Sequence, residues 1–144
     1  MKRALLSILS LSILATAVFA AGESDKEVQA HKTVLDLAGA FSNDGFKIRD
    51  GHWAGTLKPK ENTLIAVNLF SGNQYWFSVG AIEPARKIEV AVFDETGKLV
   101  QTEGYSEGGR AAAGFSPTSS GQYFISVSLV EGDESTFCLV YSYK

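Results

Sequence analysis

From residue 46 onward the chain alternates between apolar and polar positions. In "QYFISVSLV", residues 122–130, Tyr123, Ile125, Val127 and Leu129 fall on one side. Gln122, Ser126 and Ser128 fall on the other, with Phe124 and Val130 as apolar exceptions. A period of two with one polar side is a strand packed on one face and wet on the other. The same pattern puts Ile65, Val67 and Leu69 in phase in "TLIAVNLF", Tyr75, Phe77 and Val79 in "YWFSVG", and Ile88, Val90 and Val92 in "KIEVAVF". Further strands are expected at "FKIR", "HWAGTLKP", "AAAGF" and "TFCLVYSY". "DETG", residues 94–97, reads as a hairpin turn from which "KLVQT" leaves as a further strand, and "EGYSEGGR" reads as a glycine-rich loop. Seven or eight such strands, spaced by turn signals, predict an all-β fold, an antiparallel β-sandwich whose most economical form is a jelly roll.

Before residue 46 the period changes. "SDKE" is a capping box, in which Ser24 accepts from the backbone N–H of Glu27 and Glu27 reaches back. Val28, His31, Leu35 and Ala38 follow at helical spacing, with Val34 and Phe41 beside them, and "SNDG" ends the run at Gly45. The spacing predicts one amphipathic helix over 24–40 with a narrow apolar stripe that needs a surface to lie on. The expected organisation is a leader at 1–20, an N-terminal helical segment at 21–45 and the β-sandwich domain at 46–144.

The leader changes where the protein is expected to work. Lys2 and Arg3 precede an apolar run from Ala4 to Phe19, and cleavage after Ala20 leaves Val18 and Ala20 at the two positions a signal peptidase reads. The run is short for a membrane span of about 20 residues and is diluted by Ser7, Ser10, Ser12 and Thr16. A periplasmic or secreted product is expected, with no stable membrane insertion after cleavage. Loss of Lys2 and Arg3 leaves 11 basic against 16 acidic residues, a net charge of −5. Such a chain lacks the basic patch that nucleic acid or an anionic lipid surface requires. The single cysteine, Cys138, makes no internal disulfide. Within "FCLVY" it reads as a small buried hydrophobe, or else as a reactive or intermolecular thiol.

Four stretches together resemble a known family. "LFSGNQYWFSVG", "IEVAVFDETGKLV", "FSPTSSGQYFISVS" and "FCLVYSY" follow the grammar of the bacterial pre-peptidase C-terminal domain: a glycine before an aromatic strand, a strand ending in Asp-x-x-Gly, a Phe-x-Pro turn running into Ser-Gly-x-Tyr, and a closing aromatic strand. The resemblance covers about residues 55–143. It implies a jelly-roll-like sandwich of the kind attached to secreted enzymes, where such domains serve secretion, attachment or stabilisation and some bind calcium or polymers. The chain is read as such a module standing alone.

Candidate chemistry is sparse. The two histidines, His31 and His52, form no HxxxH or HxH pattern, and a metal site on them needs carboxylates from elsewhere. Ser116 in "GFSPT" misses the nucleophile elbow, because Pro117 follows and no helix does. The acidic turns carry Asp94 and Glu95, and Glu131, Asp133 and Glu134. On loops at one end of a sandwich, these make calcium the candidate cofactor. Alternation puts Trp76 on the opposite face from Tyr75 and Phe77. It either joins Trp53 in an exposed aromatic row that suits a sugar or peptide, or is covered by the helix through Val28, Leu35 and Ala38.

These features predict an exported, non-enzymatic module that binds a protein, peptide or glycan in the envelope or outside the cell. A structural or self-associating envelope or matrix protein is the alternative, working through edge strands. A hydrolase is the third reading, although no nucleophile or base is spaced for it.

Overall fold

The computed structural model describes residues 24–144. The expected leader at 1–20 lies outside the described residues. Helix α1 spans Asp25–Ser42. Nine strands follow among the described residues: β1 Lys47–Ile48, β2 Trp53–Leu57, β3 Asn62–Leu69, β4 Tyr75–Ala81, β5 Ala85–Phe93, β6 Glu103–Glu107, β7 Arg110–Phe115, β8 Gly121–Gly132 and β9 Ser135–Tyr143. They form two sheets. The larger has the order β1-β9-β4-β7-β6, with β2 also paired to β9, and the smaller has the order β3-β8-β5. All of these strand pairs are antiparallel.

The alternation read from the sequence sets the faces. Ile65, Val67 and Leu69 of β3, Ile88 and Val92 of β5, and Tyr123, Ile125, Val127 and Leu129 of β8 are buried from the smaller sheet. They join Tyr75, Phe77, Val79, Phe137, Leu139 and Tyr141 from the larger sheet in one apolar cluster. Val90, in phase with Ile88 and Val92, packs on this cluster while only partly buried. Ser126, expected on the wet side of β8, is buried as well.

The larger sheet is covered on both sides, which explains why β9 is an almost unbroken apolar run. One side meets the shared cluster. On the other, Cys138 and Val140 meet Ala30, Val34 and Ala38 of α1. Cys138 is therefore a buried small residue beneath the helix. The N-cap forms as expected, with Ser24 Oγ accepting from Glu27 N–H at 3.2 Å. Asp25 and Glu27 place negative charge in the first turn, where the helix dipole favours it.

The buried face of the helix is only partly the expected stripe: Ala38, and Val34 beside it, are buried as read, but the rest of the stripe is not. Val28 and Leu35 are 51% and 39% exposed, and the buried residues are Ala30, Val34, Leu37 and Ala38. Close approach decides the phase. Gly80 of β4 lies so near the helix that a Cβ there would stand 2.7 Å from the backbone nitrogen of Val34 and 3.1 Å from the carbonyl oxygen of Ala30. A contact built from Ala30, Val34 and Ala38 admits that approach, and Val28 and Leu35 turn outward.

The segment after the 94–97 turn also differs from expectation. "KLVQT" does not form a strand. It makes an isolated bridge, Phe93 to Leu99, and a bond from Val100 N–H to the Val92 carbonyl at 3.0 Å. The strand comes later, as β6, in the stretch read as a glycine-rich loop. The reason is topological: β5 belongs to the smaller sheet and β6 to the larger, so residues 98–102 carry the chain across between them. As an exposed edge, β6 tolerates Gly104.

Candidate functional site

The pairing register sorts the loops into two ends. Leu69 pairs with Gly121, Phe93 with Phe124, and Tyr75 with both Phe115 and Tyr143. The β3–β4 loop, the 94–102 crossover and the β7–β8 loop therefore gather at one end, with the chain terminus. At the opposite end Ala85 pairs with Gly132, beside the acidic β8–β9 turn.

Each loop at the first end is pinned by a polar side chain. Asp94 Oδ1 accepts from Thr96 N–H at 2.9 Å, Thr96 Oγ1 at 2.6 Å and Lys98 N–H at 3.0 Å. These bonds, that of the Thr96 hydroxyl foremost, hold the Asp94 carboxyl below its ordinary range. The Tyr75 hydroxyl accepts from Phe70 N–H at 2.9 Å and from Asn73 Nδ2 at 3.1 Å. Ser120 Oγ accepts from Ser71 N–H at 2.8 Å, tying the β7–β8 loop to the β3–β4 loop. The Tyr123 hydroxyl donates to the Ser119 carbonyl at 2.7 Å. "SPTSSGQY" is thus a rigid loop whose serines are spent partly on shape.

Two adjoining clefts open among these loops, each about 370 Å³, and both are lined by Phe115 and Ser116. The first has Phe115 and Tyr123 among its walls, with the hydroxyls of Thr118, Ser119 and Ser120 and the carboxylates of Asp94 and Glu95. The second brings Trp76 together with Gln74, Gln101, Thr102 and Glu103. Hydroxyls, amides and a few carboxylates beside aromatic rings match a ligand that is itself polar and has flat apolar faces.

The sequence-predicted residues divide between these places. Trp76 lies on the helix side of the larger sheet, half-buried, with its indole stacked on Phe41 at 4.3 Å between centroids and 12° between planes. The helix does cover it, but through Phe41 in its last turn and not through Val28 and Leu35. Gly114 makes room for the indole, since a Cβ there would stand 2.9 Å from it. Trp53 lies on the other face of that sheet, where it packs against the shared core and stacks on Tyr141 at 5.9 Å. The two tryptophans therefore form no common row.

The acidic turns separate in the same way. Asp94 and Glu95 line the first cleft, whereas Glu131, Asp133 and Glu134 lie at the opposite end. The length of β5 between them, nine residues, is roughly 27 Å at about 3.4 Å per residue. One calcium ion does not reach both sets, which corrects the expectation that they share an end. His31 and His52 do meet, with rings stacked at 4.1 Å and 28°. Among the described residues no three His, Cys, Asp or Glu side chains are grouped to hold a metal. Among the same residues no helix is long and apolar enough to cross a membrane.

Sequence reasoning missed Gln74, Gln101, Thr102 and Glu103. Their signal was weak, because polar residues in a turn and a crossover resemble ordinary solvated loop. No protein-family model matches the chain, and no curated protein matches it.

Proposed function

We propose that the protein is an exported, non-enzymatic binding module, an antiparallel β-sandwich of jelly-roll type that takes its ligand at the loop end. The leader pattern at residues 1–20 supports export. The apolar cluster contributed by both sheets supports the sandwich. The four-part resemblance to pre-peptidase C-terminal domains supports the jelly roll and an accessory role. Its Phe-x-Pro and Ser-Gly-x-Tyr segments carry residues of the first cleft.

The observation that carries the binding role is the pair of clefts that meet at Phe115 and Ser116, walled by loops already fixed by hydrogen bonds. Pre-organised loops lose little entropy when a ligand docks, so a modest set of contacts suffices for binding. A glycan is the ligand class best matched to this lining, ahead of a peptide or a protein surface. The test is a thermal-shift screen of glycans and peptides, followed by Thr118→Arg. Thr118 is exposed, so the longer side chain fills the first cleft without entering the core. The expected result is a ligand that raises the melting midpoint of the wild type and loses at least about tenfold in affinity with the variant, about 1.4 kcal/mol. A ligand that binds the variant as tightly places the site elsewhere.

A second reading, self-association, draws on β3. This strand is an edge of the smaller sheet, has no charged residue over Asn62–Leu69, and exposes 61% of Leu64. Unprotected edges of this kind pair with other strands. Size measured across protein concentrations separates this reading from a monomeric binder.

A further inference from the structure

At the loop end a third depression, about 250 Å³, opens beside Tyr75, which it shares with the second cleft. Its lining combines one cation, two amides and four rings: Arg49, Asn68, Asn73, Phe70, and the tyrosines 75, 141 and 143. Arg49 directly follows β1, and its backbone N–H donates to the Tyr141 carbonyl at 2.9 Å, which fixes the residue against β9. The guanidinium carbon lies 5.2 Å from the Tyr141 ring centroid and 5.7 Å from that of Trp53. Cation–π attraction thus holds the charge above two rings.

That charge is hardly spent inside the protein. Its hydrogen bond is a long one, Nη1 to the Asp50 carbonyl at 3.4 Å, and among the described residues no carboxylate forms an ion pair with it. A guanidinium has five donors in a planar fork that fits a carboxylate in two parallel bonds. In a chain of net charge −3, a cation kept above aromatic rings at the mouth of a pocket selects for an anion.

The remaining walls narrow the class. Phe70 and Tyr143 are 62% and 38% exposed at the rim, which leaves flat apolar surface for the C–H face of a sugar ring. Asn73 donates to the Tyr75 hydroxyl and keeps its amide oxygen for a ligand hydroxyl. The volume is below the roughly 300–1,000 Å³ of sites that enclose a whole ligand, so it suits one ring of a longer chain.

We propose that this pocket is a subsite for a uronic-acid residue of an acidic glycan, with Arg49 on the carboxylate and Phe70 and Tyr143 against the sugar faces. The inference rests on the loop-end binding reading and gives it a substrate class.

The test is calorimetric titration of the protein with an oligogalacturonate, with its methyl ester as the uncharged form of the same chain, and with a short peptide ending in a free carboxylate. The oligogalacturonate should bind at least about tenfold tighter than the ester, and its affinity should fall with added salt. Arg49→Gln should remove that preference, and Arg49→Lys should restore part of it, since charge returns without the fork. Melting midpoints of both variants show whether the fold is kept. Equal binding of acid and ester, unchanged binding by a folded Arg49→Gln, binding of the peptide alone, or no binding of the oligogalacturonate would each overturn the proposal. A neutral ligand lost in Thr118→Arg but kept in Arg49→Gln would overturn it while leaving the loop-end reading in place.

Discussion

Asp94 and Glu95 are neighbours with different tasks. Asp94 gives one carboxylate oxygen to three donors within its own turn, while Glu95 is exposed on the wall of the first cleft. Because the folded state holds the Asp94 carboxyl below its ordinary range, it binds its proton less readily folded than unfolded. Its contribution to stability is therefore complete above the ordinary carboxylate pKa, near 3.9, and is lost as pH falls through the lower folded value. Asp94→Ala should be less stable than the wild type at pH 7, with the difference shrinking as the medium is acidified below about pH 4. Chemical denaturation at a series of pH values checks this, and a difference that stays constant down to pH 2 would contradict it. The sequence marked 94–97 as a turn. It did not separate a turn-building aspartate from a metal ligand, because the same residue type serves both.

Helix α1 and strand β4 fit together through an absence. At Gly80, alanine brings two opposed effects. A strand gains about 0.5–1 kcal/mol when glycine is replaced, but overpacking costs about 1–3 kcal/mol. The neighbour is backbone, the Val34 nitrogen at 2.7 Å from the added carbon, so the cost prevails. Gly80→Ala should destabilise by about 1–2 kcal/mol net. Gly104→Ala in β6 has nothing within 4 Å of the added carbon and should be neutral or stabilising. Urea unfolding of both variants tests the docking of the helix, and equal effects would mean that α1 does not lie on β4. Much of the element plan was legible. Strand phases at Ile65, Phe77, Ile88 and Ile125 follow from alternation, and the N-cap at Ser24 follows from its capping box. The helix phase was legible only at Val34 and Ala38. Hydrophobicity favoured Val28 and Leu35, whereas the surface that receives the helix selects small side chains, and that surface comes from a strand some 50 residues later in the chain. Strand β6 was hidden for a related reason: its glycine and acidic residues suit an exposed edge as well as a loop.

At the scale of the whole molecule, the antiparallel registers decide which loops meet. They collect 70–74, 94–102 and 116–120 at one end and leave the turn containing Glu131, Asp133 and Glu134 at the other. The candidate site was only partly legible for this reason. Individual residues such as Trp76, Asp94 and Glu95 stood out by type, but their partners in space, Gln101 and Ser119 among them, are set by sheet order. The most direct test of the loop-end binding role is NMR chemical-shift mapping on isotope-labelled protein with the ligand found by screening. Perturbations are expected to concentrate at residues 74–76, 94–103 and 114–123. Perturbations centred instead on the exposed face of α1 or on residues 131–136, or a screen of glycans and peptides that yields no binder, would contradict that role.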